Sequence, residues 1–187
     1  MKPILFNTEM VRAILEGLKT VTRRVVKPQP VYNPNDGFTW KGAAYGTDLP
    51  PTEKGATYNF RCAAPCRPGD ILYVRETFCR QPSEEYPFVY KASVETPAAW
   101  QWCPSIHMPR EAARIFLRVT DVRVKRVQDI DDDGVVAEGL NIGDPFDELW
   151  NSTIKPADRD LYGWDANPWV WVIEFERISR EEAISDV

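Results

Sequence analysis

The feature that most constrains the fold of this chain is a period-two alternation of side chains in its second half. Residues 114–127 alternate over most of their length, and large apolar residues alternate with valine and glutamate over residues 169–176, after Pro168. Because successive side chains of a strand point to opposite faces, the pattern predicts one long or two bent half-buried strands at 114–127, then a closing strand. The core face of the closing strand is expected to carry Trp169, Trp171, Ile173 and Phe175.

Shorter signals predict the other elements. Apolar residues at helical spacing predict an amphipathic helix at 8–18, with Asn7 or Thr8 as its N-cap and Gly17 at its end. The β-branched run at 20–26 predicts a strand. The remaining expected elements are a strand at 71–78 after the turn Pro68-Gly69-Asp70, a hairpin around 88–92, and short helices at 131–139 and 146–154.

This order of elements favours an α+β fold, in the form of a small mixed β-barrel with short flanking helices. A chain of 187 residues is long enough for one sizeable core, so we expect a single domain over residues 1–178 with a polar tail at 179–187. Two irregular insertions are expected, at about 27–67 and 80–105. The first is rich in proline and glycine, which favours a mobile lid. No GxGxxG, P-loop or HExxH motif occurs.

The composition of the chain limits the kinds of partner that it is expected to bind. No apolar run approaches the roughly 18 residues that span a bilayer, and the first residues do not resemble a signal peptide, so we expect a soluble, cytoplasmic monomer without a membrane partner. The net charge of -5 is uneven, because residues 128–187 carry sixteen acidic and four basic side chains. An acidic protein binds long nucleic acid poorly without specific contacts, which leaves a small nucleoside or a local contact to RNA as candidate partners.

The run from Glu16 to Arg24, EGLKTVTRR, carries a glycine, a lysine, a threonine and an arginine at Gly17, Lys19, Thr22 and Arg24. This pattern resembles the signature of ASCH domains, a family with a PUA-like fold. Three further segments follow in the order that the family has them: Pro68 to Leu72, Ala137-Glu138-Gly139, and Val172 to Phe175. The opening MKPILFNTEMVRAILEG and the segment SIHMPR at 105–110 are most similar to the longer bacterial and phage-encoded members.

The resemblance implies a function. The small bacterial members are N4-acetylcytidine amidohydrolases whose catalytic set is a lysine, a threonine and a glutamate, which match Lys19, Thr22 and Glu138. It therefore implies hydrolysis of an amide on a modified pyrimidine nucleoside. This chain departs from those enzymes by its two insertions and its greater length.

The chemistry of these residues agrees in part. A threonine hydroxyl is a weak nucleophile that needs a base, and a desolvated lysine can serve as one. Glu138 is expected in the last turn of a helix, at the negative end of the dipole, so a cation such as Lys19 or Arg24 should lie near it. The alternative is that Lys19 only complements the helix dipole and that Thr22 lies on a solvated strand face.

Further candidates lie elsewhere. Arg24, Arg75, Glu76, His107 and Arg110 are candidates for holding a base or ribose. The irregular spacing of the four cysteines indicates reduced thiols, and we expect neither metal nor cofactor. The competing interpretation is a zinc site, whose ligands would be Cys62, Cys66, Cys103 and His107. Two other functions stay open: a binding module for RNA or a modified base, and a phage accessory protein that recognises a protein partner.

Overall fold

The fold is described from a computed structural model. It describes residues 1–33, 35–45, 59–83, 85, 87–95 and 101–185. The described strands are β1 Lys2–Leu5, β2 Val21–Val25, β3 Val31–Asn33, β4 Gly37–Trp40, β5 Ala43–Tyr45, β6 Ile71–Arg75, β7 Phe78–Arg80, β8 Phe88–Tyr90, β9 Phe116–Arg126 and β10 Trp169–Ile178. The described helices are α1 Thr8–Leu15, α2 Asp132–Ala137, α3 Phe146–Thr153, α4 Arg159–Tyr162 and α5 Arg180–Ser185.

A five-stranded mixed sheet in the order β1-β6-β9-β10-β2 forms the centre of the molecule. β1 pairs with β6 in parallel, and the other neighbours are antiparallel. The expected α+β class is confirmed. Within the described ranges, however, no ladder joins the edge strands β1 and β2 into a closed barrel. An arginine side chain links them instead, because Arg24 Nη2 donates to the Leu5 carbonyl at 2.6 Å.

Both faces of this sheet are covered. The four residues predicted for the core face of β10 are all buried in the main core. On the opposite face, Val170 and Val172 pack with Phe146 and Trp150 of α3. β9 is one continuous strand, with a register shift against β10 at Glu174. The strands predicted at 114–127 and after Pro168 are thus present, and they pair with each other.

The helix α1 begins as its sequence predicts, but it ends at Leu15, three residues before the predicted end. Asn7 is the N-cap, since its side-chain oxygen accepts a hydrogen bond from the Met10 amide at 2.8 Å. Gly17 lies at a φ of +77°, where glycine is favoured, and reverses the chain. The buried face of the helix carries Val11 and Ile14.

The first insertion contradicts the expectation of an irregular segment. Strands β3, β4 and β5 form a three-stranded antiparallel sheet. Phe38 and Phe60 are fully buried and stack with their ring centroids 4.7 Å apart, and Phe38 meets Trp169 edge to face. The described part of this insertion therefore belongs to the core. Residues 46–58, on which much of the lid prediction falls, lie outside the described residues.

The second insertion contains an ordered hairpin. β7 pairs with β8, and the Phe78 and Cys103 backbones exchange hydrogen bonds of 3.2 and 2.7 Å. The strand expected at 71–78 is divided, because β6 ends at Arg75 and β7 begins at Phe78. Residues 84, 86 and 96–100 lie outside the described residues.

The expected polar tail from Ser179 contains a short helix. α5 covers residues 180–185 and buries Ala183. Among the described residues, no helix is long and apolar enough to cross a membrane.

Candidate functional site

Two glycine turns bring distant parts of the chain together. After α1, the Leu18 amide donates to the Ala13 carbonyl and the Gly17 amide to the Ile14 carbonyl, which is the pattern of a Schellman motif. After α2, the Leu140 and Gly139 amides repeat that pattern. The residues beside these turns then form an isolated antiparallel bridge between Lys19 and Glu138.

Only glycine fits at position 139 of this arrangement. Its φ is +88°, and an added Cβ would lie 2.8 Å from the Ala13 Cβ and 3.2 Å from the Lys19 Cβ. The first approach is closer than real Cβ contacts show, and the second is tighter than most of them. The sequence Glu138-Gly139 thus lets the end of α2 pack directly against the turn that follows α1.

A buried ion cluster lies where the two turns meet. The Lys19 ammonium donates to Glu138 Oε2 and, at 3.0 Å, to the Glu138 carbonyl. Arg23 Nη1 donates to the other carboxylate oxygen, Oε1, at 3.0 Å. The side chain of Lys19 has 0% of its surface exposed, and that of Glu138 has 4%. One carboxylate therefore faces two buried cations.

Burial sets the protonation of Lys19. Desolvation lowers its pKa, the attraction of Glu138 opposes this, and the nearby Arg24 and Arg23 add to the lowering. A buried lysine with a lowered pKa holds its proton less tightly than a surface lysine. It can thus serve as a base at a lower pH.

Thr22 lies in β2 next to Arg23 and is 1% exposed. It lines a cavity of about 20 Å³ together with Arg23, Arg24 and Glu138. The rest of the lining comes from Met10, Phe146, Leu149, Trp150 and Thr153. A cavity of this size holds about one water molecule or one ligand atom.

A larger cleft of about 460 Å³ adjoins this cavity and shares Met10, Arg24 and Thr153 with it. Its volume lies in the range of small-molecule sites. Polar side chains dominate its other walls: Asn7, Thr8, Glu9, Thr77, Lys91, Ser105 and Ser152. The small cavity can therefore hold one atom of the reacting group of a molecule whose body occupies the cleft.

Arg24 lies at the junction of these spaces. Its guanidinium is 5.1 Å from the centroid of the Phe6 ring. It also borders a third cavity, of about 400 Å³, between β1 and Pro65. Of the five residues that the sequence suggested for substrate binding, Arg24 lines the cleft.

The structure places the other four suggested residues elsewhere. Arg75 Nε donates to the Met108 carbonyl at 2.7 Å, and Glu76 accepts two hydrogen bonds from Arg114. His107 and Arg110 are exposed, with Arg110 against the sulfur of Met1. None of the four lines the three cavities described above.

The four candidate zinc ligands are not assembled. Cys66 is buried in the main core, where burial raises its pKa to about 11, whereas Cys62 is exposed. Among the described residues, no three side chains of His, Cys, Asp or Glu are grouped so that they could hold a metal.

Sequence reasoning missed several residues at this site. Arg23, Thr77, Lys91 and Ser105 line the cavities without having been singled out. Of these, only Arg23 had a signal in the sequence, because it lies between Thr22 and Arg24, two residues of the suspected site.

Comparisons with known proteins give little. No family model and no curated protein matches the chain. A search of solved structures finds similarity to protein EF3133 from Enterococcus faecalis V583, of the DUF984 family, at 9% sequence identity and a TM-score of 0.42. The match covers 96% of this chain and 82% of that one.

Proposed function

We propose that this chain is an ASCH-type amidohydrolase with a PUA-like fold. Its substrate would be an N-acylated pyrimidine nucleoside such as N4-acetylcytidine, and it would act in the cytoplasm. The observation that carries the proposal is that Glu138 binds the buried Lys19 ammonium and also lines a small cavity with Thr22, beneath a cleft of about 460 Å³. These residues come from two distant segments of the chain. The motif that resembles the ASCH signature contains two of these residues.

In the proposed reaction the neutral amine of Lys19 takes the proton of the Thr22 hydroxyl as Thr22 Oγ1 attacks the acyl carbon. The electron pair of the C=O bond moves to the acyl oxygen. When the intermediate collapses, the bond to the nucleobase nitrogen breaks, and Lys19 returns the proton to that nitrogen. Water then attacks the Thr22 ester with Lys19 again as base, which releases the carboxylic acid and restores the hydroxyl.

Glu138 would act on Lys19. Its carboxylate holds the ammonium in place and stabilises the charge that Lys19 gains when it accepts the proton. Arg24 and Lys91, with the hydroxyls of the cleft wall, would bind the sugar and base.

The test is to incubate the purified protein with a panel of N-acylated nucleosides and to follow loss of the acyl group by mass spectrometry. We expect Lys19→Ala and Thr22→Ala each to lower turnover by at least about 10²- to 10⁴-fold, with Thr22→Ser retaining measurable activity. The matched control is Thr20→Ala, because Thr20 lies in the same run but is exposed. Circular dichroism checks that each variant is folded.

If folded Lys19→Ala or Thr22→Ala hydrolyses the nucleosides at the rate of the parent protein, the proposed roles of Lys19 as base and Thr22 as nucleophile are excluded. The second candidate function is a module that binds RNA, which the cations Arg24 and Lys91 at the cleft favour. If the protein hydrolyses no member of the panel but binds RNA with an affinity that falls steeply as salt rises, the RNA-binding function takes the place of the hydrolase function.

A further inference from the structure

Arg23 carries a hydrogen-bond donor that the chain does not use. Its side chain is 5% exposed, and Nη1 is engaged by Glu138. Among the described residues, Nε of Arg23 is the one buried side-chain nitrogen or oxygen without a hydrogen-bond partner. A buried unsatisfied donor costs about 1–3 kcal/mol, and more for a charged group. Native proteins usually satisfy such a group with water or with a ligand.

The guanidinium is held rigidly in this position. Nη1 is bonded to the carboxylate of Glu138 at 3.0 Å, and the guanidinium lies 5.8 Å from the centroid of the Phe146 ring. On another side, a Cβ added to Gly134 of α2 would come within 2.8 Å of Nη2. The helix therefore packs closely against the arginine.

The same arginine lines the cavity of about 20 Å³ that Thr22 also borders. Glu138 is the acidic side chain in that lining, and both of its oxygens already accept hydrogen bonds from cations. The lining of this space, which is large enough for about one atom, thus includes a cationic residue whose Nε donor is unused. An uncharged or anionic oxygen is the occupant that this chemistry favours.

We propose that Arg23 is a further catalytic residue, whose Nε–H donates a hydrogen bond to the acyl oxygen of the substrate in the small cavity. This inference rests on the proposed hydrolase function. When Thr22 attacks, the acyl oxygen takes the C=O electron pair and becomes an oxyanion. A preorganised cationic donor then stabilises it more strongly than it stabilises the neutral carbonyl, which is the condition for a faster reaction. On collapse the electron pair returns to the C=O bond, and Arg23 is unchanged.

The first arm of the test needs no activity. The Hε–Nε resonance of Arg23 is assigned in ¹⁵N-labelled protein by its loss in Arg23→Lys, and the parent is titrated with acetate, which carries the oxygen that an acetyl group would present. We expect the Arg23 Hε resonance to move and saturate, while chloride at equal ionic strength leaves it in place. An Arg23 resonance that acetate does not move would overturn the proposal.

The second arm measures turnover of the best substrate by Arg23→Lys, which keeps a positive charge but not the Nε–H. Loss of one oxyanion donor lowers kcat by about 10²- to 10³-fold with KM nearly unchanged. The measurement is made where the rate no longer depends on pH, so that a changed Lys19 pKa cannot explain the loss. The control is Arg123→Lys, an exposed arginine of β9 that lines none of the three cavities.

A kcat of Arg23→Lys within about 3-fold of the parent value would overturn the proposal, because an oxyanion donor contributes far more. A parent that is inert on every acylated nucleoside would refute the hydrolase function. The acetate titration would still decide whether Arg23 is the oxygen donor of this cavity.

Discussion

Two buried glutamates in this molecule lie in opposite chemical settings. Glu76 is 1% exposed and accepts two hydrogen bonds, of 2.8 and 2.9 Å, from one arginine, Arg114. The same arginine donates to Ser93 and lies 4.0 Å from the centroid of the Tyr90 ring. Glu138 instead divides its two oxygens between Lys19 and Arg23.

The difference lies in charge balance and in unused donors. The pair of Glu76 and Arg114 is one anion against one cation, and Glu76 lines none of the cavities near the site. The Glu138 cluster has an excess of positive charge, a free Nε on Arg23 and a cavity beside it. A buried charge alone therefore does not indicate a site. A buried cluster left incomplete next to an open cleft does.

The largest difference between substitutions of the two glutamates should be in turnover. Glu138→Gln keeps the shape of the side chain but removes its charge, so the Lys19 ammonium formed during the reaction loses its partner. We expect kcat to fall by about 10²-fold or more, with a smaller change in KM. Glu76→Gln, measured as folded protein on the same nucleoside, should keep the parent kcat.

Equal losses of kcat in the two variants would remove the distinction between them. Thermal unfolding of both proteins must be followed in parallel, since a partly unfolded sample would imitate a catalytic defect.

The second effect should be on stability, and both variants should show it. Glu76→Gln leaves the cation of Arg114 without its anion, and breaking a buried pair typically costs 3–5 kcal/mol. Because 28% of the Arg114 side chain is exposed, water will solvate part of it, and we expect a loss of about 2–3 kcal/mol in the free energy of unfolding. Glu138→Gln should lose at least as much, because Arg23 is more buried than Arg114 and cannot release its proton, although Lys19 can. Urea denaturation at neutral pH checks both values, and a clearly smaller loss for Glu138→Gln would contradict this account.

Local patterns were sufficient for some elements and insufficient for others. α1, β2, β9 and β10 were predictable because their periodicity and end signals lie within the element. β1 carried no such signal, since it depends on parallel pairing with β6. The strands β3 to β5 are too short to show alternation, and Phe38 is buried by contacts with Phe60 and Trp169, distant in sequence.

The same division applies to the site. Gly17 and Gly139 are local signals, and they position Lys19 and Glu138. The cleft walls could not be predicted, because Lys91 reaches its position through long-range contacts of the hairpin, such as the hydrogen bond from its amide to the Thr77 carbonyl. Unmatched charge is also a property of the assembled cluster and not of any one segment.

The smallest effect should be a pH dependence of stability that belongs to the Glu138 cluster alone. Burial lowers the pKa of Lys19 below its ordinary value of 10.5. Between the lowered pKa and 10.5, the unfolded chain keeps a proton at Lys19 that the folded protein has lost. The free energy of unfolding therefore rises with pH in this window, by at most about 1.4 kcal/mol per pH unit, and is constant below it because both states are then protonated. The difference in unfolding free energy between the parent and Lys19→Met should thus increase with pH, whereas Glu76→Gln should keep the pH dependence of the parent. Urea denaturation from pH 6 to pH 10 measures it, with the other titrating groups cancelling in the difference. A flat difference would mean that Lys19 stays protonated in the folded protein over this range, and such a lysine could not act as the base for Thr22.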